Sequence, residues 1–171
     1  GNDATAAAQA NEPTIYTGGA LVKENGKLAL DFDGSNDILT VSNTASLQIV
    51  GDLYFANVIA TEDTNLAPFF TKRVDDNNRE FEFRNSSSTQ FSYLDSANRK
   101  DFAISANSNR QLYSINRIAN TSVDFNLDGY SFSAVSLAGT QATTSADVAI
   151  GARLNLSQSF NGRMQEILLY A

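Results

Sequence analysis

The chain has 171 residues with 12 basic and 19 acidic side chains, a net charge of −7. That is enough for one domain with a sizeable core, and the acidic balance excludes the concentrated basic surface that nucleic-acid backbones require. Cysteine and histidine are both missing, which excludes disulfide frameworks, thiolate metal sites and the commonest catalytic triads; no apolar run is long enough to span a membrane.

Taken in chain order, Gly1-Asn2-Asp3-Ala4-Thr5 lacks an initiator methionine. Residues 1–27 read as the continuation of a longer chain, a linker followed by a first hairpin. Pro13 fixes an extended entry, Thr14-Ile15-Tyr16 forms a short strand turned by Gly18-Gly19, and Asn25-Gly26 closes a tight hairpin. In residues 28–41, LALDFDGSNDILTV, Leu28, Leu30 and Phe32 alternate with Ala29, Asp31 and Asp33, the period of a strand with one dry and one wet face. Gly34-Ser35-Asn36 breaks the run, and Ile38-Leu39-Thr40-Val41 resumes it. Asp31, Asp33 and Asp37 crowd the corner. Two readings are open: solvated hairpin acids, or oxygens converging on a calcium ion.

Leu47-Gln48-Ile49 suggests a single turn or bulge. Leu53–Thr61 is almost continuously apolar and β-branched, which predicts a central buried strand. After a loop at 61–65, residues 68–74 form the next strand, ended by Asp75-Asp76-Asn77-Asn78. Phe81 and Phe83 then alternate with Glu80, Glu82 and Arg84, which predicts these acids on a solvated face balanced by Arg79 and Arg84. Phe91 and Tyr93 continue the meander. Residues 102–104 and 111–119 are strands separated by a turn at Asn107-Ser108-Asn109. Val123, Phe125 and Leu127 alternate with Asp124, Asn126 and Asp128, and Asp128-Gly129 turns into a strand over 130–137. A loop at 138–145, a strand at 148–151 and a last strand at 163–170 complete the chain. About eleven to fourteen short strands, with no sustained helical period, predict an all-β, two-sheet antiparallel β-sandwich.

The corner Asp31-Phe32-Asp33-Gly34-Ser35-Asn36-Asp37 resembles the FDG-x-x-D element of laminin G-like, concanavalin A-like jelly rolls. Ile150-Gly151-Ala152-Arg153, followed by Phe160-Asn161-Gly162-Arg163-Met164-Gln165-Glu166-Ile167, resembles the closing segment of the same domains. The resemblance covers residues 28–171 and implies that strand 28–33 lies beside strand 164–170 in one sheet. It also implies a structural calcium where the corner meets the final strand, with Asp33, Asp37, Gln165 and Glu166 as ligands. Relatives commonly have Asp where this chain has Gln165, and the missing charge weakens such a site. The front end, Gly1–Thr5 with Glu12-Pro13 and Glu24-Asn25-Gly26-Lys27, resembles a linker of tailed-bacteriophage structural proteins.

Glu80 and Glu82 are the candidate carboxylate pair for a glycosidase, but the clustered E-x-D-x-x-E-type motif of catalytic relatives is not supplied. No Walker, Rossmann, zinc or serine-elbow motif occurs, so the expectation is a non-enzyme. Sugar recognition needs an aromatic platform with hydrogen-bonding neighbours. There is no tryptophan, which leaves Tyr54, Tyr93, Tyr113 and Tyr130 as candidate platforms, with Asn and Asp from loops. The resemblance implies a surface-exposed module of a phage virion protein (fibre, tail or capsid decoration). Such a module would face the virion surface or the extracellular space and contact host-surface glycans or other virion proteins. It would bind no nucleic acid, insert in no membrane, and oligomerise through its upstream chain. The alternative is a carbohydrate-binding module of a secreted bacterial glycoside hydrolase or lyase.

Overall fold

The computed structural model of the protein describes residues 2–62, 66–104, 109–139 and 141–171. Residues 63–65 of the expected first loop, Asn107 and Ser108 of the expected turn, and Thr140 of the later loop lie outside the described residues. In chain order the strands are β1 (Ala4–Thr5), β2 (Tyr16–Thr17), β3 (Ala20–Leu21), β4 (Lys23–Glu24), β5 (Lys27–Leu28), β6 (Leu30–Asp33), β7 (Leu39–Val41), β8 (Leu53–Thr61) and β9 (Ala67–Arg73). They continue with β10 (Arg79–Ser87), β11 (Gln90–Leu94), β12 (Arg99–Ala103), β13 (Gln111–Ile118), β14 (Ser122–Leu127), β15 (Tyr130–Ser131), β16 (Val135–Ser136), β17 (Val148–Ile150) and β18 (Asn161–Tyr170). Single 3₁₀ turns lie at Gln9–Asn11 and Ala45–Leu47. Among the described residues no helix is long and apolar enough to cross a membrane.

Two antiparallel sheets stack face to face, the expected all-β jelly-roll sandwich. The first runs β1-β7-β17-β9-β10-β11-β12; the second runs β15-β14-β13-β8-β18-β6, with β16 also on β14. Aromatic side chains lock the sheets together, because alternate residues of each strand point into the space between them. Phe83 of β10 stacks on Phe55 of β8 with ring centroids 4.2 Å apart. Phe91 of β11 stacks on Phe125 of β14 at 4.5 Å. All four are fully buried, each contributing about 1.5–3 kcal/mol of apolar burial. Leu53–Thr61 is the buried central strand that its composition predicts, flanked by β13 and β18.

The two ends of the chain meet as expected: β18 pairs with β6 through Asn161↔Asp33, Gly162↔Phe32, Arg163↔Asp31 and Met164↔Leu30. This junction explains why the Gly34 and Gly151 motifs are what they are. Both glycines have positive φ, +75° and +82°. A Cβ on Gly34 would lie 2.8 Å from the Cβ of Asn161, and one on Gly151 would clash with the Cδ1–Cε1 edge of the Phe32 ring. Phe32 in turn meets Phe160 edge-on at 5.9 Å.

Two local readings are corrected. Leu28 is exposed and Ala29 buried, because the strand is interrupted: Leu28 closes the β4–β5 hairpin, and Ala29 N–H donates to Val22 O. The strand expected over 130–137 forms only at β15 and β16. Upstream of residue 28, β1 pairs at the edge of the first sheet beside β7, while β2–β3 and β4–β5 form two small hairpins of their own.

Candidate functional site

Pairing across the second sheet lines up side chains from separate parts of the sequence. Tyr170 is opposite Tyr54, Tyr54 opposite Asn116, and Asn116 opposite Asp124. Directly opposed residues share a face, and this is the outer one, since the intervening Phe55, Ile115, Arg117 and Phe125 are buried between the sheets. The next row is Leu168, Ala56, Ser114, Asn126 and Ser131. Ala56 and Ser114 are small and buried, so they form a low floor beside the taller tyrosine row. The third row carries Glu166, Val58 and Leu112. Tyr54 is 42% exposed and Tyr170 62%. The result is a shallow trough with two aromatic rings on one flank, and amide, hydroxyl and carboxylate groups set among them. Its polar groups come from strands, where loops were expected to supply them.

Of the four candidate tyrosines, only Tyr54 sits in this arrangement. Tyr93 and Tyr113 are fully buried. The Tyr93 hydroxyl donates to Asp95 Oδ2 at 2.9 Å and accepts from Arg117 at 3.2 Å and Gln141 at 2.8 Å. Burial pushes the Tyr93 and Tyr113 hydroxyls well above the ordinary tyrosine range. Tyr130 is exposed but packs edge-on against Phe132 at the sheet margin. Tyr170 escapes sequence reading because only the β18–β8 register places it beside Tyr54, more than a hundred residues away.

Of the four residues of the implied calcium site, Asp33 and Asp37 meet at the corner, while Gln165 and Glu166 lie further along β18. Asp33 Oδ1 caps the turn, accepting from the N–H groups of Ser35 at 2.8 Å and Asn36 at 3.3 Å. Asp37 Oδ2 accepts from Asp33 N–H at 2.8 Å. Asn161 is the β18 residue that pairs with Asp33, which leaves Gln165 and Glu166 further along that strand. The amide of Gln165 donates to Glu24 O at 3.0 Å, and Glu166 lies exposed opposite Val58. Among the described residues no group of three or more acidic side chains could hold a metal ion. Burial, aided by repulsion from Asp33 and Asp31, raises the Asp37 pKa despite its backbone hydrogen bond.

Glu80 and Glu82 are not on a solvated face; both are fully buried. A bulge between Arg79 and Phe81 breaks the alternation, and the two acids enter separate networks. Glu80 pairs with Lys72 at 2.8 Å and accepts from the N–H groups of Ile49 and Thr144. Glu82 is gripped by Arg73 at 2.7 Å, Arg153 at 2.9 Å and Arg84 at 3.0 Å, with Arg79 at 3.9 Å. Burial by itself would raise the Glu82 pKa, but these guanidinium groups hold it below the ordinary carboxylate range. Neither acid is placed to act on a substrate.

No protein-family model and no curated protein matches this sequence. Solved structures do. The ligand-binding domain of botulinum neurotoxin serotype D, in complex with N-acetylneuraminic acid, has a TM-score of 0.65 at 9% identity over 87% of this chain and 40% of that one. The binding domain of botulinum neurotoxin DC, in complex with rat synaptotagmin II, has a TM-score of 0.66 at 7% identity, covering 93% and 42%. Domains LG4-5 of the mouse laminin α1 chain follow at 0.59 and 12% identity, covering 96% and 46%. The fold is the laminin G-like, concanavalin A-like jelly roll. This jelly roll spans less than half the length of the chains it matches. The expected bacteriophage setting is corrected: the similar structures named above are neurotoxin binding domains and a laminin chain.

Proposed function

We propose that this jelly roll is a non-catalytic carbohydrate-binding module of a larger extracellular protein, with the outer trough of the second sheet as its binding surface. The observation that carries the reading is the Tyr54–Tyr170 pair, exposed side by side above Ala56 and Ser114, with Asn116, Asp124 and Asn126 in the same two rows. A pyranose has an apolar C–H face and a rim of hydroxyls. Aromatic rings take the face, while amides and carboxylates take the hydroxyls. An apolar-only surface would fit a protein partner better; here polar groups follow the rings along the same row. The neurotoxin domain in complex with N-acetylneuraminic acid supports the reading at the level of fold.

The test is a glycan array followed by calorimetry on the best binder. Tyr54→Ala and Tyr170→Ala are each expected to weaken binding about tenfold, the loss of roughly 1–1.5 kcal/mol of ring contact. Because both rings are exposed, melting temperatures should barely move. Unchanged affinity in both variants, or no glycan bound across a broad panel, would overturn the proposal.

A further inference from the structure

The second sheet is one strand short along part of its edge. β6 pairs with β18 only as far as Met164↔Leu30, whereas β18 runs on to Tyr170. The ladder on the other side of β18 decides which backbone groups this leaves open. Glu62 N–H donates to Asn161 O, so the alternate residues of β8 from Ala60 to Tyr54 turn their N–H and C=O groups toward β18. Their partners are Arg163, Glu166, Leu168 and Tyr170. Ile167 and Leu169, which lie opposite Asn57 and Phe55, therefore turn theirs away from β8. Among the described residues nothing is hydrogen-bonded to those groups.

The same two residues point their side chains inward, yet both are only half-buried. They face a cavity of about 320 Å³ between the sheets. Val148 and Ile150 of β17, Val41 of β7 and Ala4 of β1 line it from the first sheet, which continues past β17 through β7 to β1. The first sheet thus overhangs a place where the second has no strand. Sheet edges are ordinarily blunted by lysine, proline or a covering segment. Residues 167–171, ILLYA, carry no charge and no proline.

We infer that this slot takes an extended segment of another protein, added as a strand along β18. The segment exchanges backbone hydrogen bonds with Ile167 and Leu169 and sets alternate apolar side chains into the cavity. Its intervening residues turn outward beside Glu166, Leu168 and Tyr170. Glu166 carries the one charge of residues 165–171, and the whole chain stands at −7, so the outward residues of the segment are basic. A second copy of this chain fits less well. Paired here as a sandwich, it would bring its own β17, β7 and β1 into the space that the edge of the first sheet already fills. The slot opens on the inner side of β18 and the tyrosine trough lies on its outer face, so neither reading needs the other.

The test adds the peptide KVKLKV, blocked at both ends, to the intact chain and follows amide hydrogen exchange by NMR. Without peptide, the Ile167 and Leu169 amides should exchange faster than those of Glu166 and Leu168, which are bonded to β8. At about a hundred times its Kd, the peptide should slow both roughly a hundredfold. The acidic peptide EVELEV, and KVKLKV with its valine and leucine amides N-methylated, should each bind at least about tenfold more weakly. Leu169→Pro removes an N–H that faces the slot and none that faces β8, and should cause the same loss. If Leu169→Pro does not fold, Glu166→Lys on the exposed face should reverse the preference between KVKLKV and EVELEV. No binding by any of these peptides, or binding that leaves the Ile167 and Leu169 amides in fast exchange, would overturn the slot. EVELEV binding as tightly as KVKLKV would overturn the basic assignment. Protection of both amides without peptide, rising with protein concentration, would overturn the partner in favour of a second copy.

Discussion

Glu82→Gln is the sharpest perturbation of the first sheet. Glutamine keeps the volume of glutamate, so no cavity opens, and the change is confined to charge. Glu82 is fully buried with three guanidinium contacts of 2.7–3.0 Å. Its loss leaves four arginines facing one another, with the exposed Asp76 as the acid still paired to one of them among the described residues. Removing one partner of a buried ion pair costs about 3–5 kcal/mol, a large part of the roughly 5–15 kcal/mol that holds a domain folded. For a urea slope near 2 kcal/mol/M, the unfolding midpoint should drop by about 1.5–2.5 M. The pH dependence supplies an independent check. Because the folded-state pKa of Glu82 is depressed, its contribution is present above the unfolded value. It is lost as pH falls through the folded one. The gap between wild type and variant, measured by urea unfolding from pH 7 downward, should therefore narrow toward acid. A midpoint shift below about 0.5 M at pH 7, or a gap independent of pH, would refute the reasoning.

Gly151→Ala should destabilise by about 2–4 kcal/mol, since the new methyl meets the Phe32 ring and φ is +82°; thermal unfolding reads it, and a neutral result would mean that Phe32 can move aside. For Asp37 the sign is opposite to that of Glu82: its folded pKa is raised, so its ionisation lowers stability as pH rises from the unfolded value through the folded one. Asp37→Asn, which keeps an oxygen for Asp33 N–H, should be more stable than wild type at neutral pH and lose that advantage in acid, as melts across pH would show. Calcium and chelator should both leave the melting temperature unchanged, because Gln165 and Glu166 do not reach the corner that Asp33 and Asp37 occupy; a rise of several degrees with calcium would contradict this.

The strands and turns were largely legible in the sequence because their causes are local. Period-two alternation marked Val123, Phe125 and Leu127, and all three point inward or lie partly buried against the core. Asn25-Gly26 and Asp128-Gly129 adopt the positive φ values that tight hairpins demand. The glycine motifs at the two ends were legible as a resemblance, and their meeting point follows from it. The placement of Gln165 and Glu166 was not, because a shared motif does not fix how far along β18 each side chain falls. A register that sets Asn161 opposite Asp33 moves Gln165 four residues onward.

Burial of charge was the sequence's largest misdirection. Glu80, Glu82 and Arg84 alternate with phenylalanines as a wet face would, yet Arg153 and Thr144 come from the far end of the chain to enclose them. Alternation reports which side of a strand a residue takes; it says nothing of what later covers that side. The chain by itself therefore determined the all-β class, the identity of the central strand and most of the turns, since these depend on the preferences of neighbouring residues. Only the tertiary structure decided that Tyr54 stands beside Tyr170 and that four arginines surround Glu82, because both depend on long-range register and on loops folding over a sheet, which no local preference specifies.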